Sequence, residues 1–169
     1  MRIARFPLCS DNEAERVIKE AYHAMEHKEW FAIDPDAFIE QGDGYLYKAY
    51  IDGKAAGILT VAYPGILHKE LSLSSPTADM DIVAVLPEYR GRGIMSALME
   101  RAERDAITAG IKVLLATVHP DNIPSRHTME KLGYKEVLHK TMYGGFDRLI
   151  MMKRIAISSV QCCRENQCL

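Results

Sequence analysis

One stretch restricts the fold more than any other. The apolar run "DMDIVAVL" (79–86) stops at Pro87, and an Arg90-Gly91-Arg92-Gly93 turn follows. Residues 93–109 then bring Ile94, Leu98, Ala102 and Ala106 to one face, every fourth residue, until Gly110 ends the pattern. Next comes "KVLLATV" (112–118), an almost wholly apolar run of the kind that is buried on both faces of a sheet. A strand, a helix and a buried strand in direct succession require a mixed α/β fold.

The remaining segments extend this reading. "RIARFPL" (2–8) alternates as a first strand, and Ser10 with Glu13 has capping-box form ahead of a helix that presents Ala14, Val17, Ile18, Ala21 and Met25. Asp34-Pro35 predicts the start of a short second helix. "YLYKAYI" (45–51) and "KAAGILTVAY" (54–63) form a hairpin around Asp52-Gly53, and Tyr45, Tyr47 and Tyr50 read as its packing. Residues 64–78 are irregular. A helix over 121–132, capped by Asp121 or Asn122 and stopped by Gly133, precedes strands at 134–140 and 148–157. No repeat or linker divides the chain, so residues 1–157 read as one domain and 158–169 as a flexible tail.

Charge and cysteine usage exclude several function classes. A net charge of −2 provides no field for nucleic acid, and no apolar run is long enough to span a bilayer. The N-terminus shows no signal-peptide core, so a cytoplasmic protein is expected. Cys9 stands alone, while Cys162, Cys163 and Cys168 crowd the tail without zinc spacing; they read as free thiols. His23 and His27 have the i, i+4 spacing of metal ligands but no third partner, so no metal is expected. Trp30 and Phe31 read as core packing, with a lid as the alternative.

The turn carries the chemistry. A helix N-terminus exposes unpaired N–H groups and partial positive charge. Gly91 and Gly93 let the backbone approach a ligand, and Arg90 and Arg92 add charge, which together make a socket for phosphate or pyrophosphate. A Walker A loop is absent, and the third glycine of a dinucleotide fingerprint is missing at Ser96.

The run "DIVAVLPEYRGRGIMSALMERAE" resembles the coenzyme A-binding block of the GNAT superfamily of N-acetyltransferases, whose Arg/Gln-x-x-Gly-x-Gly/Ala signature falls on Arg90, Gly91, Arg92, Gly93 and Ile94, with Met95 in its sixth position. A second block, "NIPSRHTMEKLGYKEV" (122–137), resembles the helix and strand that follow in that family. The resemblance implies a mostly antiparallel sheet that splays between two parallel strands, 79–86 and 112–118, flanked by helices. It places acetyl-CoA in the splay as co-substrate. The pantetheine arm would run along the backbone of Val83 and Val85, the pyrophosphate would sit on the turn from Arg90 through Met95 and Ser96, and Asn122 and Ser125 would face the arm. The implied activity is acetyl transfer to a primary amine, of a small molecule or a peptide, by direct attack in a ternary complex.

Such a reaction needs a base for the amine proton and a donor for the oxyanion. Asp79 and Asp81 are the base candidates, two apart on a strand, sharing one face about 7 Å from each other. They also suit a cationic amine. His119, ending the next strand, reads as a hydrogen-bonded loop histidine rather than a proton relay. The acid is less defined, because Met129 stands where many members of the resembling family carry tyrosine. Protonation by water is the favoured route, Tyr143 is a candidate donor, and a non-catalytic acyl-CoA-binding module is the alternative reading. A homodimer through the last strands is left open by the sequence.

Overall fold

The computed structural model describes residues 1–32 and 42–155. Its hairpin turns where the residue types demand: Asp52 and Gly53 both have positive φ, 49° and 79°, which matches the right-handed twist of the strands they join. These strands are β2 (Gly44–Ile51) and β3 (Lys54–Ala62). Around them lie β1 (Arg2–Pro7), β4 (Thr77–Val85), β5 (Val113–Val118), β6 (Lys135–Met142) and β7 (Phe146–Arg154). The helices are α1 (Asn12–His23), α2 (Ile94–Thr108) and α3 (Ile123–Lys131). All seven strands form one sheet in the order β1-β2-β3-β4-β5-β7-β6. Among the described residues only β4 and β5 pair in parallel; the other neighbours are antiparallel. The expected mixed sheet with a central parallel step is therefore the fold observed. The helix expected at Asp34-Pro35, residues 156–157 of the last strand and the cysteine-bearing tail lie outside the described residues.

Helix α1 corrects one detail of its expected start. Asp11, not Ser10, is the cap: its Oδ1 accepts from Ala14 N at 2.9 Å. Ser10 Oγ instead donates to Glu15 Oε1 at 2.8 Å. The shift leaves Glu13 free to pair with Lys48 Nζ at 3.1 Å, and Asp11 Oδ2 takes the same ammonium at 2.8 Å. Lys48 is a buried residue of β2, and two carboxylates plus the Phe6 ring surround its charge.

The two faces of the sheet carry different layers. Val17, Ile18 and Ala21 of α1 pack with Ile58, Ala84 and Leu86 on one face. Leu98, Met99 and Ala102 of α2 pack with Leu59, Met80, Leu114 and Met151 on the other, joined by Met129 of α3. Gly57 lets α2 start close to the sheet, because a Cβ there would lie 2.9 Å from Ile94 Cγ2 and 3.1 Å from the Ala84 carbonyl.

Strand β4 positions the site through two irregularities. Its pairing with β3 slips between Leu59↔Val83 and Val61↔Met80, a β-bulge opposite Thr60. Met80, Val83 and Val85 consequently face α2, while Ile82 and Ala84 face α1. The second irregularity lies on the opposite edge, where pairing with β5 runs only from Thr77↔Val113 to Met80↔Ala116 and then stops. Beyond it the strands diverge, β5 staying with β7 as far as Val118↔Leu149.

Candidate active site

A cleft of about 980 Å³ opens where β4 and β5 part. Residues 81–85 form one wall, the start of α2 closes one end, and Asn122, Ser125 and Thr128 of α3 line the opposite side.

The α2 end is built to receive an anion. Gly93 caps the helix with φ 74°, and among the described residues no side chain bonds the first-turn N–H groups. Gly91 has the same φ, and a Cβ at either glycine would point into open space. The first backbone bond of the helix runs from Ala97 N to Gly93 O, so the N–H groups of Ile94, Met95 and Ser96 face outward without intrahelical partners. No acidic side chain lies in that turn to repel an anion. The side chain of Ile94 is core, and that of Met95 packs against the same cluster.

The two arginines are placed differently from each other. Arg90 is a strut: its Nε donates to the Val85 carbonyl and its Nη2 to the Ala21 carbonyl, each at 3.2 Å. It thereby ties the end of α1 to the end of β4 and occupies the Val85 oxygen, while Val83 lines the cleft. Arg92 lies over the Tyr89 ring at 5.3 Å, outside the cleft lining. Asn122 spends its side-chain oxygen on capping α3, accepting from Ser125 N at 3.2 Å.

The other end holds the ionisable groups. Asp79 and Asp81 have very different surroundings. Asp79 is 4% exposed and sits beneath the turn at Gly65–Leu67, where Leu67 N donates to its Oδ2 at 2.9 Å. The fit is so close that a Cβ on Gly65 would fall 1.8 Å from its Cγ. Its Oδ1 is buried without a partner, and burial pushes its pKa up to about 6 against the pull of the backbone N–H groups. Asp79 does not line the cleft. Asp81 does, and it is open to solvent there. The cleft walls still strip enough water from Asp81 to raise its pKa, opposed by a hydrogen bond from the Thr60 hydroxyl.

Tyr143 enters from the β6–β7 turn, held at φ 52° ahead of Gly144 and Gly145. Its hydroxyl lies 3.5 Å from Thr117 Oγ1 on β5. Burial of the ring against the cleft raises its pKa first of all; the Thr117 bond and Arg148 act against this, while Asp81 and Asp79 act with it.

Other candidates resolve plainly. His119 Nδ1 accepts from Asp121 N at 3.2 Å, a loop bond, and the ring does not line the cleft. Met129 is buried in the core under α2 and presents nothing to the cleft. His27 stacks on Trp30 at 4.6 Å and bonds Glu29, and Trp30 and Phe31 line the cleft mouth. Among the described residues no three His, Cys, Asp or Glu side chains gather as a metal site, and no helix is long and apolar enough to cross a membrane.

Three contributors escaped the sequence reading. Thr60 and Thr117 carry no pattern that marks them. Arg148 leaves a faint one, a charge two positions before Ile150 on the same strand face.

A model of the acetyltransferase (GNAT) family matches residues 12–134. The chain belongs to that family. An acetyltransferase of Photorhabdus laumondii subsp. laumondii is 30% identical over 109 residues, covering 62% of this chain and 68% of the relative. The aminoglycoside N(6′)-acetyltransferase type 1 of Salmonella enteritidis is 25% identical over 133 residues, covering 73% and 90%. In fold, a GNAT-family acetyltransferase from Streptococcus pneumoniae superposes with a TM-score of 0.66 at 20% identity, over 92% of this chain and 100% of its own. As a GNAT enzyme the protein is an acetyl-CoA-dependent N-acetyltransferase. The residues present fit that co-substrate: the glycine turn leaves space for a diphosphate against free N–H groups, and the unpaired edge of β4 leaves backbone for an extended arm.

Proposed function

We propose that the protein acetylates a primary amine by direct attack within a ternary complex, with Asp81 as proton acceptor and Tyr143 as proton donor. The observation that carries this reading is the arrangement along one cleft: an anion socket at the α2 end, an open strand edge between, and Asp81 and Tyr143 on its walls. Acetyl-CoA supplies the activated thioester, whose acyl carbon forms the amide as the C–S bond breaks and the thiol departs.

The chain's own groups serve the steps around that exchange. The N–H groups of Ile94, Met95 and Ser96, with Gly91 and Gly93 holding the turn open, bind the diphosphate. Backbone of Val83 holds the arm from one side, and Asn122 and Ser125 face it from the other. Arg90 supports the socket from behind by fixing α1 to β4. Asp81 attracts the substrate ammonium and takes its proton, directly or through water; its raised pKa makes it a better base than an ordinary aspartate. Tyr143 Oη carries a proton at neutral pH like any phenol and can give it to the leaving sulfur, although its raised pKa makes it a weaker acid than a free tyrosine. Asp79 stands behind Asp81 as a buried carboxyl whose own pKa the charge of Asp81 helps to raise.

Calorimetric titration with acetyl-CoA tests the socket. Wild type should bind at micromolar concentration, and Gly93→Val should lose binding, because a β-branched residue cannot hold φ 74°. Thiol release across an amine panel tests the base. Asp81→Asn should lower kcat by about 100- to 1,000-fold with acetyl-CoA affinity kept. A wild type that does not bind acetyl-CoA would end this reading.

A further inference from the structure

Arg148 is the group that the reaction above leaves unused. It is 2% exposed, yet it lines the cleft. Its Nη1 donates to the Asp147 carbonyl at 2.8 Å and its Nη2 to the Glu29 carbonyl at 3.1 Å, and the guanidinium lies 5.2 Å from the Phe146 ring centroid. Those contacts use two of five N–H donors and supply no counter-charge. Among the described residues no carboxylate comes within ion-pair distance of it. The nearest in sequence, Asp147, is held by His139 Nε2 at 2.7 Å. Burial lowers the pKa of Arg148, opposed by Tyr143 and by the more distant charge of Asp147, and a guanidinium remains charged near neutral pH. Elsewhere the chain treats buried cations differently, since Lys48 has two carboxylates around it.

A buried cation without an anion is costly unless something supplies one. The fold shows where the anion would lie. On β7, Leu149 and Met151 face α2, while Ile150 packs in the opposite layer with Leu67, Val113 and Leu115. Alternation therefore puts Arg148 on the Ile150 face. Asp79, which bonds Leu67 N, lies on that face too, and the β4 bulge keeps Asp81 on it. Asp81 and Arg148 thus approach the cleft from the same layer, on opposite sides of the splay. Tyr143 lines the same cleft, and its phenol feels the charges of both.

We infer that Arg148 binds a carboxylate on the acceptor, so that the substrate is an amine bearing both charges: its ammonium toward Asp81, its carboxylate toward Arg148. The inference deepens the acetyltransferase reading and rests on it. Arg148 is a specificity residue in this scheme, with no part in proton transfer. A planar guanidinium with three N–H groups unused among the described residues offers a carboxylate a two-pronged bond that lysine cannot match.

The test is a set of matched acceptors, each an amino acid paired with its own carboxamide, followed by thiol release. One arm uses free amino acids; the other uses dipeptides and their amides, which separates a small acceptor from a peptide end. Wild type should prefer the acid over the amide by at least about tenfold in kcat/KM. In Arg148→Met that preference should disappear, because kcat/KM for the acid falls by at least about tenfold, mainly through KM, as expected when one partner of a buried charge pair is removed. Arg148→Lys should restore part of it. Melting curves and acetyl-CoA titration check that each variant folds, and wild-type preference alone decides the matter if neither does. An enzyme that binds acetyl-CoA but takes amides as readily as acids, or takes no acid in either arm, overturns the carboxylate inference while sparing the acetyltransferase reading. Absence of acetyl-CoA binding overturns the latter instead.

Discussion

Asp79 and Asp81 show how much a residue's surroundings add to its identity. Two aspartates two positions apart look interchangeable in sequence, but a turn covers one and the cleft exposes the other. The covered one makes a prediction about stability. With its folded-state pKa near 6 and an unfolded value near 3.9, Asp79 binds its proton more tightly in the folded protein. The fold therefore suffers no penalty from it below about pH 4, and loses stability as pH rises through 6, by roughly 3 kcal/mol in all. Asp79→Asn keeps an acceptor for Leu67 N but cannot ionise. Urea unfolding at pH 4 and pH 7.5 should show the variant gaining about 2–3 kcal/mol on wild type between those two values. A difference that stays constant with pH would mean that Asp79 is not held protonated by burial. Asp81 has the opposite consequence, for activity: a base must be deprotonated, so kcat/KM should climb with pH through a value above that of a free aspartate, and the limb should vanish in Asp81→Asn.

At the scale of elements, legibility followed locality. The hairpin at Asp52-Gly53, α2 between Gly93 and Gly110, and the stop at Gly133 rest on turn and cap chemistry written within a few residues, and each stands where it was expected. The cap of α1 was displaced by one residue because Asp11 and Ser10 are both competent, and the choice falls to Lys48 on a distant strand. The β4 bulge was illegible for the same reason, since it depends on which residue of β3 lies opposite. Arg148 and Thr117 joined the cleft only when β5 and β7 paired across a long stretch of intervening chain. The displaced cap can be checked. Asp11→Ala removes both a cap and half of the Lys48 cage and should cost about 2–3 kcal/mol, whereas Ser10→Ala removes one exposed side-chain bond and should cost under about 0.5 kcal/mol. Equal losses in thermal or urea unfolding would restore Ser10 as the cap.

The whole molecule is arranged around a sheet that stops pairing at its centre. Beyond Met80↔Ala116 the edges of β4 and β5 face a cleft instead of each other, so the ladder between the halves β1–β4 and β5–β7 is short, and packing around α2, the Leu67 layer and bonds such as Arg148 to Glu29 join them elsewhere. A ligand lying in the splay touches both halves and is absent from the unfolded chain, so its binding must add to global stability. At a concentration 100 times its Kd, acetyl-CoA should add about 2.7 kcal/mol. For a chain of this size that raises the melting temperature by about 5–10 °C. The shift should grow with the logarithm of concentration and disappear in Gly93→Val, whose own melting temperature is read in the same scan. Cofactor fragments separate the two supports. If the α2 socket alone holds the ligand, 3′,5′-ADP should produce nearly the full shift. If bridging the splay matters, the shift should require the pantetheine arm, and only the intact coenzyme should give the full rise in melting temperature.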